Sequence, residues 1–159
     1  MNQLLVKVVI LGEPKSQPRP RFVGGRVISN ISPAVSSWQG AVRRAASEAL
    51  CSLTGGLPLT NALRVDVTFW FGTKKAERWG KPHTQKPDRD NCDKLILDEC
   101  TKVGLFNGDD CRVSAGTIKK RWCAPQGAGA LIEVYADTGV CAKLGLATVE
   151  STATPEWLA

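Results

Sequence analysis

Four stretches of the chain carry the apolar density or alternation of strands, and two carry the spacing of helices. Gln3 to Leu11 (QLLVKVVIL) is dense in Val, Ile and Leu and stops at Gly12, which predicts a strand. Leu63 to Phe71 alternates. Leu63, Val65, Val67 and Phe69 fall on one side, and Arg64, Asp66, Thr68 and Trp70 on the other, so this strand should have one wetter face. Cys111 to Cys123 reads as a third strand and Ala130 to Ala136 as a last one. Phe22-Val23 and Arg26-Val27-Ile28 flank Gly24-Gly25 and predict a small hairpin whose glycines supply positive φ.

The first helical pattern follows Ser32-Pro33, a good N-cap and first-turn pair, and should run to about Leu53. Val35, Trp38, Val42, Ala45, Ala46, Ala49 and Leu53 share its apolar face, expected to be core or a dimer contact. Arg43-Arg44 fall on what should be a solvated face, and Gly55-Gly56 should stop the helix. The second pattern spans Arg89 to Val103. Asp88 is placed to cap it and Gly104 to end it; Leu95, Ile96, Glu99 and Val103 trace one side. Asp93, Asp98 and Glu99 are expected on a solvated helix face. Phe106 to Asp110 is a turn.

Two connections stand out. Gly12 to Arg21 contains three prolines, which favour an extended arm displaying Arg19 and Arg21. Gly72 to Pro87 is long and basic, with Lys74, Lys75, Arg78, Lys81 and Lys86 around Trp79 and His83. A structureless loop of this length is usually functional or mobile. Basic residues interleaved with aromatics suit nucleic-acid contacts. After Asp137 the patterning weakens, which divides the chain into a domain at 1–138 and a loosely ordered tail at 139–159.

Composition narrows the class. At 159 residues and 43% hydrophobic, the chain can bury one real core. No run is long enough to span a bilayer, and the apolar start is interrupted by Lys7 without a cleavage site. A cytoplasmic protein without membrane partners is expected. Six cysteines form no C-x-x-C pair and there is one histidine, which argues against zinc and for reduced, mostly buried thiols. The net charge of +6 is concentrated. Residues 1–47 hold seven Lys/Arg against Glu13 alone, and the rest of the chain is balanced. A basic first third suits a polyanionic partner.

In this basic chain the clustered acids ask for a chemical reason. Asp88 and Asp90 stand two apart at a loop-to-helix junction, Lys94 follows one turn later, and Asp109-Asp110 lie beyond the helix. Hard carboxylate oxygens that leave positions open for water and phosphate are what Mg²⁺ needs to act on a phosphodiester. Asp88 and Asp90 can face one ion. A helix of about fifteen residues separates its ends by roughly 20 Å. Asp110 must therefore return along the helix or come from a second subunit. Lys94 could neutralise phosphate or pair with Asp90 or Asp98, Asn91 could be ligand or cap, and His83 could be base or phosphate contact. No Gly-Lys-Ser/Thr follows the glycine pairs, so no nucleotide cofactor is expected. The position-six glycine of a calcium loop is Asp93 here, which excludes that motif.

The run Lys86-Pro87-Asp88-Arg89-Asp90-Asn91-Cys92-Asp93-Lys94, then Asp109-Asp110-Cys111-Arg112-Val113, then Lys119-Lys120, resembles the RusA family of Holliday junction resolvases. Gly12-x-Pro14 followed by Arg19-Pro20-Arg21 resembles that family's opening segment, and the likeness covers roughly residues 4–136. Cys92 departs from the usual apolar residue. The resemblance implies a homodimeric α+β fold, a small mixed sheet packed by helices, of the kind found in phages and prophages. It implies a DNA endonuclease that uses Mg²⁺, with Mn²⁺ as a substitute, to nick four-way junctions symmetrically, leaving a 5′-phosphate and a 3′-hydroxyl. By position, Asp88, Asp90 and Asp110 match the catalytic metal-binding aspartates and Lys94 the catalytic lysine. Lys119 or Lys120 matches a later basic position that contacts DNA, Lys120 fitting slightly better. Arg19, Arg21, Lys74, Lys75, Arg78, Lys81 and Lys86 would hold the junction arms. The alternatives are a metal nuclease acting on other branched DNA, or a non-catalytic basic nucleic-acid-binding module.

Overall fold

The computed structural model describes residues 3–28, 31–53 and 62–137. The tail expected at 139–159 and the Gly55-Gly56 stop lie outside them. Among the described residues, seven strands and two α-helices run in the order β1 (Leu4–Leu11), β2 (Arg21–Val23), β3 (Arg26–Ile28), α1 (Pro33–Ser52), β4 (Ala62–Gly72), α2 (Arg89–Lys102), β5 (Val113–Ala115), β6 (Ile118–Cys123) and β7 (Gly129–Asp137). Five strands make a mixed sheet. β7 lies antiparallel between β1 and β4, and β5 and β6 both run parallel to the far edge of β4. β2 and β3 form the separate hairpin, with Gly24 and Gly25 at φ 55 and 76. The α+β class with a mixed sheet packed by helices is thus observed.

Period-two patterning decides which sheet face is covered. Val6, Val8 and Ile10 of β1 point to the same side as Leu63, Val65, Val67, Phe69 and Phe71 of β4 and Ile132 and Val134 of β7. On that side lie Trp38, Val42 and Ala46 of α1 and Cys92, Leu95, Ile96 and Cys100 of α2, all in one core. The opposite face carries polar pairs, including Lys7–Glu133 and Arg64–Asp66. The apolar face of α1 is therefore core.

The elements start and stop where their chemistry dictates. Ser32 caps α1 by accepting from Val35 N, with Pro33 in the first turn. α2 ends in a Schellman motif: Gly104, at φ 79, donates to Thr101 O, and Leu105 N donates to Cys100 O. No helix among the described residues is long and apolar enough to cross a membrane.

Three expectations are corrected. Cys111 to Cys123 is not one strand: a short 3₁₀ turn (Asp110–Arg112) precedes β5, and Gly116-Thr117 separates β5 from β6. The break forms because Asp66 accepts from Thr117 N at 2.8 Å and from its hydroxyl at 3.0 Å, drawing the chain onto β4. Residues 72–87 are folded rather than structureless. A 3₁₀ turn at Ala76–Arg78 leads into a segment that pairs with β6: Gly80 N and His83 N donate to Trp122 O and Lys120 O, and Trp122 N donates to Lys81 O. His83 is buried between the rings of Phe71 and Trp122, at 4.1 and 4.0 Å between centroids. Finally, Glu99 is not solvated but fully buried. Arg43 of α1 reaches it at 2.5 Å and Lys102 at 2.6 Å, so Arg43, while still exposed, joins the two helices through its guanidinium.

Candidate active site

The amino terminus of α2 lies at the end of the folded 72–87 segment. Lys120 of β6 holds that segment: its amine donates to Gln85 O at 2.7 Å and also to Pro87 O, just before Asp88. The Lys86-Pro87 peptide is cis. Lys120 is therefore committed to the backbone that carries the carboxylates, whereas its neighbour Lys119 is exposed. Alternation along β6 produces this split, since adjacent strand residues face opposite ways.

Asp88 is the N-cap residue of α2, yet its carboxylate makes no capping hydrogen bond. Asp90 sits in the first turn. Both are exposed and stand at the positive end of the helix dipole, which tolerates negative charge. Lys94 is exposed one turn on, and among the described residues it forms no ion pair within 4 Å. Pairing with Asp90 or Asp98 is thus not what holds it.

Asp110 comes back within the same chain to the flank of α2 near Asp93 and Leu97. Beyond Gly104 the chain buries Leu105 and Phe106, then reverses at Asn107 (φ 53) and Gly108 (φ 137). Arg112 clamps the reversal by donating to Phe106 O and Asn107 O. Asp109 accepts from Asp110 N at 2.7 Å, the local role of the first aspartate of the pair. Asp110 then lines a cavity of about 310 Å³ together with Asp93 and Leu97 of α2 and residues 113–116.

Asp93 does not lie on a solvated face. Burial pushes its carboxyl up to about 6, with Arg89 pulling partly the other way. The signal was available: Asp90, Asp93 and Leu97 recur at three- and four-residue spacing, which sets them on one side of a helix. Asp110 is also raised, first by its hydrogen bond with Asp109, then by burial and by the charges of Asp109 and Asp98; Lys94 lowers it. The Lys94 charge and the Asp110 carboxyl thus act on each other.

The donor set is hard oxygen on carboxylates, the chemistry that suits Mg²⁺ or Mn²⁺ rather than zinc. As the side chains stand, no three His, Cys, Asp or Glu among the described residues are gathered tightly enough to hold a metal ion. The remaining thiols do not compete. Cys92 and Cys100 are buried, and burial pushes each up to about 12. His83 is held below its ordinary value by burial and by Lys120, so it is a neutral packing group under the loop rather than a free base.

The predicted DNA contacts separate by position. Arg21 opens β2 and is exposed, as are Lys74, Lys75, Lys81 and Lys86. Arg78 stacks over Trp122 at 5.6 Å, so part of its surface is spent on the segment's own packing. Arg19 comes to the first turn of α2, 3.8 Å from Asp90 and 3.5 Å from the Asn91 side chain. Asn91 neither caps the helix nor stands free, because its amide oxygen receives Arg19.

Two comparisons bear on this arrangement. The family model described as endodeoxyribonuclease RusA matches residues 12–135, which takes in the arm, both helices and every residue of the candidate site. A protein of Lactococcus phage r1t, named crossover junction endodeoxyribonuclease rusA, is 36% identical over 47 residues. That match covers 30% of this chain and 36% of the phage protein's own length. With the greater part of its length matched by the family model, the chain belongs to the RusA endodeoxyribonuclease family.

Proposed function

We propose that this protein is a divalent-metal-dependent, structure-selective endodeoxyribonuclease that resolves four-way DNA junctions by paired, symmetric nicks. The observation that supports the reading is the run of exposed carboxylates and one amine along the first turns of α2, with Asp110 brought back alongside. Asp88 and Asp90 stand exposed at its start, Asp90 with Arg19 3.8 Å away, Lys94 lies one turn on, and Asp110 is returned beside Asp93 by the 104–110 reversal. Family membership and the phage relative's name support the junction as substrate.

Asp88, Asp90 and Asp110 would hold the cation, all from one chain. When bound, such an ion supplies charge stabilisation at the phosphate and lowers the cost of making the attacking water nucleophilic. The chain's own residues do the rest. Lys94 offsets charge that builds on the phosphate oxygens. Lys120 keeps the Gln85–Pro87 backbone from moving, so that Asp88 and Asp90 meet the phosphate in a fixed geometry. Water adds to phosphorus, the bond to the 3′ oxygen breaks and that oxygen takes a proton, leaving a 5′-phosphate and a 3′-hydroxyl. Symmetric cutting calls for a homodimer with two sites related by a two-fold axis.

A synthetic four-way junction with each arm labelled in turn tests the reading. Wild-type protein with Mg²⁺ should give paired nicks at symmetric positions, while EDTA or Asp90→Asn should abolish cutting and leave junction binding intact. Tight binding without cutting under Mg²⁺ or Mn²⁺ would remove the catalytic reading. Preference for flaps over junctions would replace the resolvase with a broader branched-DNA nuclease.

A further inference from the structure

The arm at residues 12–20 has no regular secondary structure, yet it is anchored along its length. Gly12 N donates to Ala128 O at 3.0 Å, and Glu13 accepts from Gly72 N at 3.1 Å. Pro14 is buried, and Gln17 N donates to Asn91 O at 3.0 Å. The last bond joins the arm's backbone to the first turn of α2, the turn that bears Asp90. Two residues further on, the Arg19 guanidinium lies 3.5 Å from Asn91 Oδ1 and 3.8 Å from Asp90 Oδ2. The side chains of Arg19 and Asp90 are each 73% exposed. An ion pair so exposed contributes little to stability. What the strap and the Asn91 amide achieve is placement of a guanidinium beside one carboxylate.

We infer that Arg19 is a catalytic residue that touches the phosphate under attack, and that Asn91 is the positioning residue that holds it there. This rests on the endonuclease reading above. Hydrolysis of a phosphodiester builds charge on the non-bridging oxygens as the water oxygen approaches phosphorus. A planar guanidinium donates to two such oxygens at once, which a lysine amine cannot do with the same geometry. Were a cation held at the Asp90 carboxylate, it would neutralise that charge and leave the Arg19 guanidinium free to donate to a phosphate drawn to the cation. Arg19 approaches Asp90, whereas the Lys94 charge acts at Asp110, so the two cations have different carboxylate neighbours. Arg21, two residues along and on the exposed hairpin, serves as the control for ordinary backbone contact.

The test compares full-length wild type with Arg19→Ala, Arg19→Lys, Arg21→Ala, Asn91→Ala and the Arg19→Ala/Asn91→Ala double variant. Junction binding is measured in EDTA, and single-turnover cleavage is measured in Mg²⁺ with protein saturating. Arg19→Ala should lose roughly 100-fold in rate, as loss of a transition-state donor does, while binding changes by less than about threefold. Arg19→Lys should recover only part of that rate, and added guanidinium ion should partly rescue Arg19→Ala. Arg21→Ala should weaken binding instead, with no guanidinium rescue of its rate. Asn91→Ala should lose roughly tenfold alone and nothing more in the Arg19→Ala background, the non-additivity expected of groups that act as a unit. If wild type cuts and Arg19→Ala cuts at the wild-type rate, or loses cleavage only in proportion to binding as Arg21→Ala does, Arg19 is a plain phosphate contact and the inference fails. If wild type cuts nothing, the endonuclease reading itself fails first.

Discussion

Among the single residues, Asp93 has the most informative environment. Its carboxyl is held near 6 against an ordinary 3.8, because burial removes water from the charged form and Arg89 only partly compensates. A carboxyl raised in the folded state binds its proton more tightly there than in the unfolded chain. The stability it contributes is therefore fully present below about pH 4 and is lost as the pH rises through 6. In divalent-free buffer, Asp93→Asn should raise the melting temperature at pH 8 and match wild type near pH 4. The gain at pH 8 should be about 1–2 kcal/mol once partial exposure is allowed for. Equal melting curves at both pH values would show that the carboxyl is not buried in solution. Glu99 presents a contrasting case, a fully buried side chain that pairs with two basic groups, Arg43 and Lys102.

At the scale of elements, the site depends on how the strands around β4 are divided. β5 and β6 pair with the same edge of β4 in succession, and the step between them brings Gly116 against Val65. A Cβ at Gly116 would lie 2.0 Å from the Val65 carbonyl oxygen, a contact with backbone that cannot swing aside. Gly116→Ala should cost about 3 kcal/mol or more, read as a drop in the urea midpoint. A loss under about 0.5 kcal/mol would mean the strand junction has slack. The same junction lines the cavity shared by Asp93 and Asp110, so its rigidity bears on the carboxylates as well as on the sheet. α1 contributes from the other side, where Arg43 and Glu99 join the two helices across the core.

For the molecule as a whole, the net charge of +6 turns binding into a matter of counterion release. Lys81, Lys86 and Lys119 are exposed, while the Lys120 amine is already bonded to Gln85 O and Pro87 O. Plots of log affinity against log salt should separate them. Removing one lysine that contacts phosphate should make the slope shallower by about 0.9. Lys119→Ala should show this change. Lys120→Ala should keep the wild-type slope and lose cleavage rate, because it frees the backbone before Asp88. A slope change at Lys120 equal to that at Lys119 would show that its amine leaves the carbonyls for DNA.

How much of this was legible without a structure follows from the range of the forces involved. Local patterning determined the strands at Leu4–Leu11 and Ala62–Gly72, both helices, the Ser32 cap of α1, the Gly104 end of α2 and the hairpin at Gly24-Gly25, because alternation, capping and positive φ act within a few residues. The ordered spacing of Asp88, Asp90, Lys94 and Asp110 likewise carried the proposed chemistry, since hard carboxylate oxygens beside an amine suit a divalent cation acting on phosphate. Tertiary structure alone decided what depends on partners distant in sequence. Asp66, some fifty residues away, splits the predicted strand at Gly116-Thr117. The Lys120 amine is engaged by the carbonyls of a loop 33 to 35 residues earlier. Glu99 and Arg43 meet across 56 residues, Arg19 and Asn91 across 72. Charged side chains have long reach and no periodicity of their own. Their partners are chosen only when the sheet and helices bring them together, and that choice separates the charges this chain pairs across the fold from those it leaves in water.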